Sequence, residues 1–197
     1  MAKDMDMIRF NQPYLFGDEL RYVNEAITNG RLAGNGAFTH RVQLFFEERY
    51  GIRKTLLTTS CTDALEMCAL LLNIKPGDEV IMPSFTFVST ANAFVLRGAV
   101  IRFVDSMESH PNMDAKAISS LITSKTKAIV VVHYGGCSCD MDEINTIANE
   151  FNLLVMEDAA HALGALYKDR PIGSISNFTA FSFQAIKHLT TGDGGAL

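Results

Sequence analysis

The sequence predicts an α/β domain with a mostly parallel sheet and helices on both faces of that sheet. Apolar stretches alternate with helical stretches along most of the chain, and strands that are separated by helices pair in parallel through right-handed crossovers. The apolar stretches, such as "AIVVVHY" at 128–134, are continuous rather than alternating with polar residues. Continuous apolar runs are typical of strands that are covered on both faces.

Two helices precede this alternation. The first, at 19–28, follows Asp18 as a candidate N-cap and stops at "NG". The second, at 38–50, is ended by Gly51. Strands then follow at 54–60, 76–84, 99–105, 126–134, 152–160 and 177–183. The helices between them are one at 63–72, one that ends at Arg97, one at 115–122 after Asp114 and one at 142–151.

The composition is that of a globular protein and gives no sign of a nucleic-acid or membrane partner. Of the 197 residues, 48% are apolar and 20% are charged, and the net charge is −5. No apolar run approaches the ~20 residues that span a bilayer. The first ten residues, "MAKDMDMIRF", lack the apolar core of a signal peptide. We therefore expect a cytoplasmic protein.

The four cysteines predict neither a disulfide framework nor a metal site. Four in 197 residues are too few for a disulfide scaffold. Cys137 and Cys139 are spaced C-S-C, which differs from the C-x-x-C pairs of zinc sites. Free thiols in a reducing compartment are the expected state.

Ligands of a parallel α/β sheet bind beyond the carboxyl ends of its strands, so the residues that follow each strand are the candidates for a site. The chain has no P-loop and no G-x-S-x-G motif, and "GNGAFT" lacks the third glycine of a dinucleotide fingerprint. Polar or reactive residues nevertheless follow most of the predicted strands: Ser60-Cys61-Thr62, Pro83-Ser84-Phe85, Asp105, His133-Tyr134, Glu157-Asp158 and Ser182.

Lys187 lies between an apolar strand and a glycine-rich run in "FSFQAIKHLTTGDGG". A loop lysine is usually a solvated surface residue. Here, hydroxyls of Ser182, Thr190 and Thr191 lie nearby in sequence, and three glycines allow the backbone to approach a ligand closely. An amine in that setting suits Schiff-base chemistry with an aldehyde cofactor, and partial burial would lower its pKa for that task.

Asp158 ends a buried strand in "VMEDAAH". A carboxylate there can cap a helix or bind a metal, but it can also pair with the protonated ring nitrogen of pyridoxal phosphate and make that ring an electron sink. His161 follows three residues later and is placed to touch the same ring. A single histidine is more often structural, so this prediction depends on Asp158 and Lys187.

A phosphate site and an aromatic wall complete the candidate cofactor pocket. Ser60, Cys61 and Thr62 lie between a strand and a helix, where backbone N–H groups bind anions. The simpler interpretation of these residues is an ordinary helix cap. Phe85 and Phe87 follow a strand end and could stack on a pyridine ring, although aromatic residues in such positions often belong to the core.

Four stretches in this order resemble the DegT/DnrJ/StrS-type sugar aminotransferases, which are fold-type I enzymes that use pyridoxal phosphate. The stretches are "SCTDAL", "GDEVIMPSFTFVSTANA", "EDAAHALG" and "FSFQAIKHLTTGDGGAL", and the likeness runs from "IRFNQPYLFGDEL" to the last residue. Within the family, the longer stretches "LLTTSCTDALEMCALLL" and "PGDEVIMPSFTFVSTANAFVLRGA" are most similar to the branch that forms dTDP-4-amino-4,6-dideoxygalactose. The resemblance implies amination of dTDP-4-keto-6-deoxyglucose, with glutamate as the amino donor, for bacterial surface polysaccharide.

The resemblance also implies residue roles. Lys187 matches the lysine that forms the Schiff base and moves the proton, and Asp158 matches the partner of the ring nitrogen. A related dehydratase branch has histidine in place of the lysine, whereas His188 here comes one residue later. The other implied cofactor contacts are His161 beside the ring, Phe87 stacked on it, and Cys61, Thr62 and Ser182 around the phosphate. Ser60 is added to this set from its place at the start of the helix.

Family members are about twice as long, which implies that residues 1–197 form a cofactor-binding large domain that lacks its last elements, without the small C-terminal domain. A homodimer with shared active sites is implied as well. Other substrates remain open, namely a 3-keto, UDP-linked or GDP-linked sugar, as does a regulatory member that binds the cofactor without turnover. The C4 epimer of the product is not determined by the sequence.

Overall fold

The structure is a computed structural model that describes residues 11–197. In these residues it has six α-helices, nine β-strands and two short 3-10 turns. The helices are α1 Glu19–Thr28, α2 Ala37–Tyr50, α3 Cys61–Leu71, α4 Val88–Val95, α5 Ala115–Ile118 and α6 Met141–Glu150. The strands are β1 Leu57–Thr58, β2 Glu79–Pro83, β3 Val100–Val104, β4 Thr126–Val132, β5 Leu154–Asp158, β6 Leu166–Tyr167, β7 Arg170–Pro171, β8 Phe178–Ser182 and β9 Gly195–Ala196.

Seven strands form one sheet in the order β1-β9-β8-β5-β4-β2-β3. The five strands from β8 to β3 are parallel, and antiparallel pairing is confined to β1, β9 and the contact of β9 with β8. Asp158 is in register with Val132 of β4 and Ala180 of β8. The predicted α/β fold is confirmed, and the carboxyl ends of its central strands lie side by side.

Strand β4 shows why the apolar runs of the sequence are continuous. Ala128 and Val130 pack into an apolar cluster with side chains of α3 and α4. Ile129 and Val131 point to the other face and pack with side chains of α2, α5 and α6. All four are fully buried, and each buried aliphatic side chain larger than alanine stabilises the fold by about 1.5–3 kcal/mol. Helices therefore cover both faces, as predicted.

The ends of the first three helices differ in part from the prediction. Gly51 ends α2 in the left-handed conformation, at φ 65°, as expected. Asp18 precedes α1, but its side chain makes no capping hydrogen bond and instead accepts one from Arg21 Nε at 3.1 Å. Helix α3 begins two residues earlier than predicted because Ser60 Oγ accepts a hydrogen bond from the N–H of Asp63 at 3.1 Å. Cys61 and Thr62 therefore belong to the first helical turn.

One predicted strand is shorter than expected, and one hairpin was not predicted. The predicted strand at 54–60 contracts to Leu57–Thr58, because the partner strand that it has among residues 11–197 is the two-residue strand β9. The hairpin of β6 and β7 was not predicted. Its turn residues, Lys168 and Asp169, have φ values of 47° and 64°, although glycine or asparagine usually marks such a turn.

The structure of residues 11–197 contains no helix that is long and apolar enough to cross a lipid bilayer. Within the same residues, no group of three or more His, Cys, Asp and Glu side chains is arranged to hold a metal ion. Cys61, Cys68, Cys137 and Cys139 are all unpaired thiols.

Candidate active site

A cavity of about 560 Å³ lies at the carboxyl ends of β4, β5 and β8 and at the N-terminus of α3. It brings together every site residue that the sequence predicts. These residues are Ser60, Cys61, Thr62, Phe87, Asp158, His161, Ser182 and Lys187. The sequence predicted that Lys187 and Asp158 share one pocket, and both line this cavity.

Two hydrogen bonds fix the carboxylate of Asp158. This side chain is 4% exposed and lies at the end of β5. Thr90 Oγ1 donates to Oδ2 at 2.7 Å, and the N–H of Ala160 donates to Oδ1 at 3.1 Å. Hydrogen bonds to both oxygens restrict rotation of a carboxylate. The base of the cavity therefore presents an oriented carboxylate.

His161 is held as a neutral ring with a defined tautomer. Burial lowers its pKa, the nearby Lys187 ammonium lowers it further, and Asp158 opposes both effects. The N–H of Gly135 donates to Nδ1 at 3.2 Å, so the proton of the neutral ring lies on Nε2. The ring also meets that of Tyr134 edge-on, with centroids 5.1 Å apart. His161 can thus offer one N–H donor to a ligand in the cavity that it lines.

The segment that supports His161 is held by a buried, hydrogen-bonded pair of side chains on the opposite face of β5. His133 Nε2 and Glu157 Oε2 are 2.9 Å apart, and both side chains are fully buried. His133 Nδ1 accepts a hydrogen bond from the N–H of Cys139, and Glu157 Oε1 accepts from Thr179 Oγ1 and from the N–H of Ser176. These contacts tie the ends of β4, β5 and β8 together, and Tyr134 and Gly135 emerge directly after His133.

The N-terminus of α3 provides backbone donors for an anion. Ser60 caps the helix, and the first turn contains Cys61 and Thr62. Thr62 Oγ1 donates to Ser89 Oγ at 3.0 Å. Burial, and secondarily the charge of Asp158, raise the pKa of the Cys61 thiol well above its usual range. Cys61 therefore stays a neutral thiol and contributes its backbone position rather than a thiolate.

Lys187 is half-buried in the segment that follows β8. Its N–H donates to the carbonyl oxygen of Gln184 at 2.8 Å, which closes a turn. The next residue, His188, has Nε2 2.8 Å from the carbonyl oxygen of Leu163, and this contact joins the lysine segment to the segment that follows His161. The side chain of Lys187 can therefore reach the cavity from a tethered backbone.

Two of the hydroxyls noted near Lys187 in the sequence bond to the loop itself. Thr190 Oγ1 donates to the carbonyl oxygen of Phe183 at 3.0 Å, and Thr191 Oγ1 donates to that of Asp193 at 2.6 Å. Both hydroxyls close the loop on itself, because a short glycine-rich loop needs partners for its carbonyl groups. Ser182, in contrast, does line the cavity.

Phe87 lines the cavity with 72% of its surface exposed, and Phe85 lines it with 49% exposed. The ring of Phe85 packs against that of Tyr134, with centroids 4.7 Å apart. Phe87 has the larger open surface for a flat ligand, and its assignment as the stacking residue stays a prediction.

Several cavity residues were missed by the sequence reasoning. Tyr134 was noted only as a strand end. Thr90, which contacts the cavity through its hydrogen bond to Asp158, lies in the quoted stretch "PSFTFVSTANA" without having been given a role. The signal that could have found Thr90 is the spacing of its hydroxyl four residues after Thr86, which places both on one face of a helical turn. The remaining ones are Leu65, Thr86, Ser89, Val132, Ala160, Gln184, Ile186 and Asp193.

Gly195 allows β9 to pass directly against the start of α3. A Cβ atom at this position would lie 2.5 Å from the carbonyl carbon of Ser60 and 2.6 Å from the nitrogen of Cys61. These are backbone atoms that no side-chain rotation can move. Glycine is thus required where β9 borders the first turn of α3, the predicted phosphate site.

Gly195→Ala is expected to lower the free energy of unfolding by about 1–3 kcal/mol, because the added methyl group displaces a packed backbone. The same displacement should weaken binding of a phosphate at the first turn of α3. Urea unfolding and titration with pyridoxal phosphate measure the two effects. Gly34→Ala is the matched control, since a Cβ there meets no atom within 4 Å and should change stability by less than about 0.5 kcal/mol. Equal behaviour of the two variants would contradict this account of Gly195.

The donor set of the cavity fits a flat anionic ring compound. Backbone N–H groups and hydroxyls of α3 and Ser182 suit a phosphate, and aromatic faces border the middle of the cavity. The fixed carboxylate of Asp158 suits a protonated ring nitrogen, and Lys187 suits an aldehyde. Pyridoxal phosphate carries all four of these features.

Comparison with known proteins agrees with this geometry. The DegT/DnrJ/EryC1/StrS aminotransferase family matches residues 14–197. The spore coat polysaccharide biosynthesis protein SpsC of Bacillus subtilis is 42% identical over all of this chain and 50% of its own length. A GDP-perosamine synthase of Caulobacter vibrioides is 38% identical over 98% of this chain and 52% of its own.

Among solved structures, Spr1654 of Streptococcus pneumoniae, described as a sugar aminotransferase, was determined in its PLP form. It superposes with a TM-score of 0.88 and 32% identity over 96% of this chain and 52% of its own. The present chain thus spans about half the length of the relatives it matches. It belongs to the DegT/DnrJ/EryC1/StrS aminotransferase family.

Proposed function

We propose that this chain forms the cofactor-binding part of an enzyme that transfers an amino group to a nucleotide-linked keto sugar. The observation that carries the proposal is the convergence of Lys187 and Asp158 on one cavity at the N-terminus of α3. Pyridoxal phosphate is the cofactor, in agreement with the family and with the PLP form of Spr1654.

When bound, pyridoxal phosphate withdraws electrons from the carbon whose proton is moved during transamination. Asp158 would hold the ring nitrogen in its protonated state through its oriented carboxylate. Lys187 would hold the aldehyde end of the cofactor, and its amine would carry the proton as a base and then as an acid. His161 would offer its Nε2 proton to the ring. The first turn of α3, together with Ser182, would hold the phosphate.

The substrate that we propose is dTDP-4-keto-6-deoxyglucose, with glutamate as the amino donor. In the reaction, glutamate becomes 2-oxoglutarate, the keto carbon of the sugar becomes an amine-bearing carbon, and no external oxidant is needed. The similarity of "SCTDAL" and "GDEVIMPSFTFVSTANA" to one branch of the family supports the dTDP sugar. A GDP-linked keto sugar is the second candidate, because a relative that covers 98% of the chain is a GDP-perosamine synthase.

Domain organisation, assembly and location are part of the same proposal. The share of the relatives' length that the chain spans supports residues 1–197 as the large domain of a two-domain enzyme. A homodimer is supported by α1, which buries none of its residues and exposes Leu20, Val23 and Ile27. The cytoplasm, where nucleotide sugars are made, is the proposed location.

The substrate proposal is tested with the full-length protein, pyridoxal phosphate, glutamate and a panel of dTDP-, UDP- and GDP-linked keto sugars. Mass spectrometry of the products should show an amino sugar and an equal amount of 2-oxoglutarate. The dTDP-4-keto sugar should give the highest kcat/KM, and a preference for the GDP sugar would favour the second candidate. Absence of an amino sugar from every member of the panel would refute the proposal and favour a cofactor-binding regulatory protein.

A further inference from the structure

Two hydroxyls at the start of α4 form a hydrogen-bonded row that ends on the carboxylate of Asp158. Thr86 lies just before the helix, and Thr90 lies in its first turn. Thr90 is fully buried, and its Oγ1 lies 2.7 Å from Asp158 Oδ2 and 2.8 Å from Thr86 Oγ1. An ionised carboxylate only accepts hydrogen bonds. Thr90 must then donate to Asp158, and its oxygen accepts the hydroxyl proton of Thr86. The three groups form a directed chain from Thr86, at the wall of the cavity, to the oxygen of Asp158.

These hydrogen bonds determine the direction in which the carboxylate of Asp158 points. The N–H of Ala160 occupies one site on Oδ1, and the hydroxyl of Thr90 occupies one site on Oδ2. With one donor on each oxygen, rotation of the carboxylate would break at least one short hydrogen bond in a buried setting. The acceptor sites that remain keep a fixed orientation towards the cavity.

Thr90 has no other evident task that requires a hydroxyl. Its two side-chain partners in the described residues are Thr86 and Asp158, and a valine of the same shape would fill its place in the packing. Burying a hydroxyl costs free energy unless the hydroxyl is hydrogen-bonded. The hydrogen bonds of Thr90 with Thr86 and Asp158 offset that cost. The purpose that the geometry offers is the control of Asp158.

We propose that Thr90 is a positioning residue that orients and stabilises the Asp158 carboxylate for the ring nitrogen of the cofactor, with Thr86 orienting the hydroxyl of Thr90. The inference rests on the proposed function only in taking Asp158 as the partner of that nitrogen. It requires no assumption about the sugar.

The test compares Thr90→Val, which keeps the shape and removes the hydroxyl, with Thr90→Ser, which keeps the hydroxyl. Thr90→Val should weaken the affinity for pyridoxal phosphate roughly tenfold to a hundredfold, as expected for the loss of a hydrogen bond to a charged group. It should also move the pH at which the visible band of the bound cofactor changes. Thr90→Ser should restore both properties to within a few-fold of the unmodified protein.

Thr55→Val is the matched control. Thr55 is 1% exposed, and its Oγ1 has no hydrogen-bond partner among residues 11–197. The same chemical change there should leave the cofactor affinity and the pH dependence of the band unaltered. If Thr90 were only structural, Thr90→Val would alter stability alone. If Thr90 positions Asp158, the same substitution alters the spectrum of the bound cofactor as well.

Thr90→Val with unchanged affinity and an unchanged pH dependence would overturn the inference. If Thr90→Val does not fold, as judged by circular dichroism, Thr86→Val decides, because it leaves Thr90 in place. That variant should weaken the affinity for pyridoxal phosphate several-fold. It should also shift the pH at which the visible band changes, in the same direction as Thr90→Val does, and unchanged behaviour would overturn the inference. Because no sugar is used, failure of the substrate proposal would leave this result unaffected.

Discussion

Replacement of Lys187 by alanine is expected to lower kcat by at least about 10³-fold and to remove the visible band of the lysine-bound cofactor. The reason is that Lys187 is the amine among the side chains that line the cavity, and in the proposed mechanism it is both the attachment point and the group that moves the proton. Absorbance spectra and steady-state rates with glutamate measure the two effects. The phosphate contacts of α3 remain, so the variant should still bind the cofactor non-covalently.

Lys127→Ala is the control for this experiment, since Lys127 lies exposed on β4 away from the cavity. That variant should keep the rate and the spectrum of the unmodified protein. A Lys187→Ala variant that retains the band and a rate within tenfold would show that another group performs the chemistry.

Asp158→Asn is expected to lower kcat/KM by roughly 10²–10³-fold, on the scale of removing one partner of a buried charge pair. The substitution keeps the size of the side chain but removes the charge that holds the ring nitrogen protonated. In asparagine, an NH₂ group replaces one of the two carboxylate oxygens. This NH₂ group is a donor, and it faces another donor, either Thr90 Oγ1 or the N–H of Ala160. Rates with glutamate and the cofactor affinity of the variant measure the effect.

Asp169→Asn controls for the loss of an aspartate charge elsewhere. Asp169 is exposed in the turn between β6 and β7 at φ 64°, a conformation that asparagine tolerates. This variant should behave as the unmodified protein. An Asp158→Asn variant of comparable activity would argue against a charged partner for the ring nitrogen.

The sheet could be predicted because both of its faces are buried. The run 128–132 leaves no polar residue that would mark an exposed face, and its neighbours have the same character. The positions of Lys187 and Asp158 could also be predicted, since Asp158 ends one strand, Lys187 follows another, and the carboxyl ends of parallel strands lie at one edge of the sheet. The resemblance to a family added the cofactor to this argument.

Other features depend on contacts that no local pattern reveals. Thr90 is 68 residues away from Asp158 in sequence, and only the tertiary fold, in which α4 and β5 contribute to one apolar cluster, brings them together. Thr190 and Thr191 have the same residue type as Thr90 but close their own loop. The requirement for glycine at 195 likewise comes from the close passage of β9 along α3.

The central claim is that the amine of Lys187 carries the cofactor in the cavity that Asp158 also lines. The most direct test is borohydride reduction of the protein with bound pyridoxal phosphate, followed by proteolysis and mass spectrometry of the peptides. The account predicts a pyridoxyl group on Lys187, in the peptide that follows β8. A pyridoxyl group on a different lysine, or none at all, would contradict it.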